Sequence, residues 1–351
     1  MAKSISWSAV MASAKVVLAR SSKPTDEEID ELIRDFDEIV PIAKQQVEEF
    51  TGLLVPPGEV SFKVLSREEW LEANLDSYKY LISKATSKGN LDLTVPGSDV
   101  VSGAGLGVVM GWMATRVLGQ YDLLLQNGRE NGSGSLYFVA PNLIELERRF
   151  GFQKRQFRHW VALHELTHRA QFEGVPWFRC YFSSLVDEML EIAQPSPTEM
   201  VEAFSKAARR LVAGEPLLDE TGLAGIFMSD RQRIVMEKTT ALMSIAEGHG
   251  DWVMDRAGRD VVPEAWQFSR TLSHRRSSSQ GAAKIMQSLL GLEAKMNQYA
   301  RGERFIEEVE RKAPGSSRLV WTSPESIPTK EEFSDVSLWL NRMGALASSV
   351  M

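Results

Sequence analysis

Residues 159–177 read HWVALHELTHRAQFEGVPW, and the rest of the sequence is best understood outward from this stretch. Three of the chain's five histidines fall within it, and two of them frame a glutamate as His164-Glu165-Leu166-Thr167-His168. Residues 155–173 are predicted to form one helix, stopped by Gly174 and Pro176. On that helix Phe157, Val161 and Phe172 share a stripe with His164 and His168, at spacings of three, four and seven. Histidines four apart point the same way, one turn from each other, so both imidazoles can reach one tetrahedral metal through a single nitrogen each. Glu165 is rotated roughly 100° from His164. It is therefore offset from the ion, placed to hydrogen-bond an attacking water rather than to bind the metal.

This is the H-E-x-x-H arrangement of zinc metallopeptidases. From average composition, a chance match in a chain of this length is about one in a hundred. The competing reading, two structural histidines and a surface glutamate, leaves unpaired imidazoles on an apolar face, which is unfavourable. The third ligand is less local. A metzincin would carry histidine at position 174, where Gly174 stands. Downstream only His249 and His274 remain, and His274 sits in the polar run SHRRSSSQG (273–281), read as a solvated loop.

The segment MSIAEGHGDWVMD (243–255) is the best source of that ligand. Its apolar residues cover almost every side of a helix, so an acid or histidine within it is buried and needs a partner. Glu247 and Asp251, four apart, share a face. Glu247 as ligand with Asp251 orienting a ligand histidine reproduces the gluzincin pattern. His249 is the rival. It points roughly 200° from Glu247 on a straight helix, unless Gly248 and Gly250 distort that helix. Otherwise His249 is left to steady an oxyanion or to serve as a buried structural histidine, and Tyr137 is a second candidate oxyanion donor.

The chain has 351 residues, 43% hydrophobic and 25% charged, with a net charge of −7. These are ordinary globular values, and the acidic balance with no dense basic run excludes a general nucleic-acid binder. One cysteine, Cys180, forbids an intrachain disulfide or a cysteine metal cluster; it reads as a small buried hydrophobe. The N-terminus lacks a signal-peptide core. The longest uncharged run, residues 100–115, has 16 residues and four glycines, short of a membrane span. A cytoplasmic chain that meets no membrane is the expectation. Within that run GAGLG (103–107) imitates a dinucleotide loop, but it lacks the third glycine of the motif and any βαβ surroundings. Small-residue helix contact is the better reading.

The chain is predicted to be mainly helical. Capping boxes begin helices at Thr25/Glu28, Ser66/Glu69 and Thr329/Glu332, and Ser196-Pro197-Thr198-Glu199 adds another start. Amphipathic stretches follow at about 26–50, 198–213, 230–256 and 282–311. Strand candidates are 59–65 and a hairpin of 121–126 with 135–140 around a loose eight-residue loop. Trp321, Phe333 and Trp339 should fold the C-terminal tail back onto the body.

The segments ALHELTHRAQFEGVPW, EGHGDWVMD, KMNQYARGERFIEEV and VWTSPESIPTKEEF carry a resemblance. From about residue 160 onward the chain resembles zincin-like metallopeptidases found mainly in actinobacteria and related bacteria, a family loosely tied to deazaflavin-cofactor biosynthesis. The resemblance implies a mostly helical α+β zincin-like fold with a small β-sheet, and a site at His164, Glu165 and His168. Residues 1–351 are then one domain, with 1–100 as an N-terminal helical extension. The expected activity is zinc-dependent hydrolysis of a peptide or small amide. Zn2+ would be held by His164, His168 and Glu247, with Glu165 as general base. The rival reading is a non-catalytic scaffold in which metal braces two helices; a fourth protein ligand, such as both Glu247 and His249, would favour it.

Overall fold

The computed structural model describes residues 6–19, 23–55, 57–87, 98–122, 135–191, 230–277 and 292–344. They fall into two compact units. The first is drawn from Met1–Ser83, Leu93–Pro176 and His249–Met286, the second from Lys84–Asp92, Trp177–Gly248 and Gln287–Met351.

The first unit is built on a three-stranded sheet of order β1-β3-β2, with β1 at Phe62–Leu65, β2 at Gly119–Tyr121 and β3 at Leu136–Val139. β3 is wholly buried, as its sequence LYFV suits. It pairs antiparallel with β2 (Gly119 opposite Phe138, Tyr121 opposite Leu136). It also pairs parallel with β1 (Phe62 opposite Leu136). The expected hairpin partners are thus paired, although β2 lies earlier than 121–126. Residues 123–134, most of the expected first strand and all of its loop, are outside the described residues.

Around the sheet stand α1 (Trp7–Leu18), α2 (Asp26–Thr51), α3 (Arg67–Ser87), α4 (Ser98–Ala114), α5 (Ala140–Phe150) and α6 (Lys154–Gly174). α2 begins at the expected capping box, in which Thr25 and Glu28 exchange hydrogen bonds. Ser66 and Glu69 make the same exchange ahead of α3. α2 lies along α6 and reaches the sheet through Phe36, whose ring stacks on Phe138 with centroids 3.7 Å apart.

A polar seam joins α2 to α6. Lys154 binds Glu31 at 2.7 Å, Arg155 binds Glu38 at 2.6 Å, and His159 Nε2 donates to Gln46 Oε1 at 2.6 Å. Arg158, only 1% exposed, grips Glu147 of α5 through Nε and an outer nitrogen at 2.8 and 2.9 Å. Its other outer nitrogen binds Asp35 of α2 at 2.7 Å. The GAGLG run lies within α4, where Gly103, Gly107 and Gly111 meet the backbone of Ser6, the cap of α1, and of Val10 and Ala14 on that helix. It is a helix-contact stripe and not a phosphate loop.

The later helices are α7 (Phe178–Glu191), α8 (Asp230–Met254), α9 (Ala265–Ser277), α10 (Leu292–Lys312), α11 (Lys330–Ser334) and α12 (Val336–Arg342). The expected helix at 198–213 and its Ser196 start lie outside the described residues. His274 falls in the last turns of α9, so residues 273–277 are helix and not loop; 278–281 are outside the described residues.

In the second unit the tail folds back as expected. Trp339 is fully buried edge-on to Phe305 and donates its indole N–H to the Ser326 carbonyl at 2.8 Å. Trp177 donates to the carbonyl of Trp321 at 2.9 Å. A capping box formed by Thr329 and Glu332 starts α11. Cys180 is exposed, contrary to the expectation of a buried hydrophobe. α7 buries Phe178 and Leu185, seven apart, and a residue two positions from Phe178 lies roughly 200° around the helix.

Candidate metal centre

On α6 the imidazoles of His164 and His168 meet edge to face at 87°, their Nε2 atoms 3.1 Å apart. Two nitrogens on one tetrahedral zinc, each about 2.0–2.1 Å from it, stand roughly 3.3 Å apart. The pair is therefore already spaced for one ion. Each ring is held from behind through Nδ1. His168 Nδ1 is 3.0 Å from Gln171 Oε1. His164 Nδ1 is 3.2 Å from Met254 Sδ and 3.6 Å from Asp251 Oδ1, both on α8.

α8 also carries Glu247, one turn before Asp251. His164, His168 and Glu247 each offer one ligand atom, and these atoms all lie within 4.8 Å of one another. Two imidazole nitrogens and one carboxylate oxygen are the donor set that zinc accepts, with a fourth position left over.

His249 lies beside Gln171. It is 3% exposed, and its Nδ1 lies 3.1 Å from the amide nitrogen of Gln171. Burial, with His168 beside it, pushes its pKa down to about 3, so the ring is neutral at ordinary pH.

The two glycines flanking His249 do not distort α8, which is continuous from Asp230 to Met254. They provide clearance. A Cβ on Gly248 would lie 2.2 Å from the backbone nitrogen of Glu303, so α10 crosses here in backbone contact. A Cβ on Gly250 would lie 3.0 Å from His164 Cε1 and 3.5 Å from His168 Cε1. Gly250→Ala is thus expected to push the His164 ring out of position and, with His164 as the metal ligand proposed below, to weaken zinc binding about tenfold. The metal-free protein should melt no lower, because alanine favours the helix by up to about 1 kcal/mol. Chelator competition and thermal melting of the metal-free protein check both halves of this expectation.

Glu165 is 6% exposed and faces β2. A Cβ at Gly119 would lie 2.6 Å from Glu165 Cγ and 2.8 Å from its Oε1, so strand and carboxylate are in contact only because residue 119 has no side chain. Two residues on, Tyr121 donates its hydroxyl to Glu173 of α6 at 2.8 Å, which fastens the other end of β2 to the same helix. Gly119→Ala should leave the fold intact, since the flexible Glu165 side chain can yield. If Glu165 is the general base proposed below, the change should lower kcat by about 10²-fold, the scale for displacing a catalytic group by an ångström. Steady-state kinetics beside a melting curve tests this.

Tyr137, the other candidate oxyanion donor, gives its hydroxyl hydrogen to Asp122 Oδ2 at 3.0 Å. Gln171 is a residue that sequence reasoning passed over. Its position three residues after His168 was the available signal.

A family model of zincin-like metallopeptidases matches residues 5–340. The chain belongs to the zincin-like metallopeptidase family. Among solved structures, this zincin-like chain is similar to one described as a "putative hydrolase with a novel fold", from Chloroflexus aurantiacus. The TM-score is 0.71 and the sequences are 28% identical, over 97% of this chain and 99% of that one. None of the curated proteins matches the sequence. The zincin-like fold is mainly helical with a small three-stranded sheet, as expected from sequence. Among the described residues no helix is long and apolar enough to cross a membrane.

Proposed function

We propose that this chain is a zinc-dependent peptidase or amide hydrolase in which His164, His168 and Glu247 hold the metal and Glu165 is the general base. The observation that carries the reading is the gathering of those three ligand atoms within 4.8 Å, on the helix that also bears the buried Glu165 and on α8. The family supports it, since its members are metallopeptidases. The match over residues 5–340 also supports treating the chain as a single domain.

Zinc at such a site supplies Lewis-acid activation of water and of the scissile carbonyl. The protein's own groups do the rest. Glu165, pressed against β2, accepts the proton of the attacking water and returns it to the leaving nitrogen. Asp251 and Met254 steady the His164 ring from behind. His249 Nδ1 faces the donating end of the Gln171 amide, which puts the ring proton on Nε2 and favours a supporting role over that of third ligand.

Among the described residues β2 is an outer strand of the sheet and runs beside Glu165. An extended peptide can add to such an edge through main-chain hydrogen bonds, which favours a peptide over a compact amide.

The test is metal content by elemental analysis of wild type and of the Glu247→Ala and His249→Ala variants. Near-stoichiometric zinc, lost only with Glu247, supports the ligand set. Zinc lost only with His249 replaces the third ligand, and no zinc in reconstituted wild type sinks the reading.

A further inference from the structure

We propose that Gln171 is a positioning residue of the metal centre. Its side-chain amide holds His168 with Nε2 turned to the ion and fixes the proton of His249 in the same stroke. This rests on the reading of His168 as a metal ligand.

The amide of Gln171 is fully buried between two imidazoles, Oε1 3.0 Å from His168 Nδ1 and Nε2 3.1 Å from His249 Nδ1. An amide has one accepting end and one donating end. The Nε2 of His168 faces that of His164 at 3.1 Å. A ring that binds metal through Nε2 carries its proton on Nδ1 and must donate there, so it requires the oxygen of Gln171. The –NH2 end is then directed at His249, whose Nδ1 must be a bare lone pair, and the His249 proton sits on Nε2.

Turning the amide over would set an –NH2 against the Nδ1–H of His168, two donors facing each other at a fully buried position. Only one orientation of the three groups is consistent, and it is set from the metal outward. His249 contributes by making that orientation the one in which both ends of the amide are satisfied. Helix geometry makes the contact available, because residues 168 and 171 lie one turn apart on α6.

The experiment is the zinc dissociation constant of the full-length chain, by competition with a chromophoric chelator, for wild type, Gln171→Leu and Gln171→Glu. Imidazole tautomers are read alongside by long-range proton–nitrogen NMR. Gln171→Leu should bind zinc about 10–100-fold more weakly, the usual consequence of removing a group that orients a ligand histidine. Gln171→Glu keeps an acceptor for His168 and should stay within about threefold of wild type, a margin of well under 1 kcal/mol. Having lost the donor, it should move the His249 proton from Nε2 to Nδ1.

Wild-type affinity in Gln171→Leu overturns the proposal, as does an unmoved His249 tautomer in Gln171→Glu. If the leucine variant does not fold, the glutamate variant decides alone. Failure of wild type to bind zinc removes the metal reading and this inference together. Tight wild-type binding with no effect of the leucine change removes this inference only.

Discussion

Glu165→Gln is expected to lower amide hydrolysis by about 10²–10⁴-fold, the range that general acid–base groups contribute, while zinc content stays at the wild-type level. The substitution preserves shape, so the contact between Glu165 and Gly119 persists. In the proposed mechanism it removes the ability to take a proton from water and deliver it to a nitrogen. Glu165 is offset on α6 from the two histidines whose nitrogens face each other, so no ligand is lost with the charge. Turnover of a peptide library by purified, zinc-loaded protein is the readout. A variant as active as wild type would remove Glu165 from the mechanism, and one that lost its zinc would make Glu165 part of the ligand set.

The second large effect concerns stability. Arg158→Ala is expected to cost about 3–5 kcal/mol, the usual penalty for removing one member of a buried ion pair. That is a large share of the 5–15 kcal/mol that holds a typical protein folded. Arg158 ties α6 to α5 through Glu147 and to α2 through Asp35. Burial raises the Glu147 carboxyl, and the paired bonds from Arg158 oppose that rise. Without arginine the largest opposing influence is gone and the rise grows. Glu147 then binds protons more readily in the folded chain than in the unfolded one, so the penalty should be largest at neutral pH and shrink toward pH 5. Adding Glu147→Leu should recover part of the loss. Urea unfolding at pH 7 and pH 5 measures all three, and a single variant within 1 kcal/mol of wild type would show that the pair contributes little.

The features legible in the sequence were those written in local periodicity. His164, Glu165 and His168 lie on one helix whose spacing alone orients them. Glu247 and Asp251 could be singled out because acids inside an apolar run need partners. β2 and β3 were marked by the turn-rich stretch between them.

What was not legible depended on distant neighbours. Nothing local to residues 62–65 says that they lie parallel to β3. Gly248 and Gly250 looked like weak points in a helix, because a glycine in sequence records only a missing side chain. The structure supplies what occupies the space, the backbone of α10 at one and the His164 ring at the other. Gln171 carries neither charge nor a metal-ligand signature, and its spacing of three from His168 says only that the two can touch; the distances show that they do. Tyr137 looked available as a donor until Asp122 was found at its hydroxyl.

The parallel register of β1 on β3 also bears on how the chain is made. Ser61 and Ser135, at the head of that pairing, are 74 residues apart, and the α2–α6 seam spans longer separations, with Lys154 and Glu31 123 residues apart. A ribosome adding about 5–20 residues per second needs on the order of 5–25 seconds to release α6 after α2 has emerged. Through that interval Phe36 and Phe62 wait without the strand and helix that will cover them. The N-terminal residues are thus the part of this molecule with most to gain from a chaperone, and a fragment begun at residue 100 would keep the motif helix but lose the surface against which it folds.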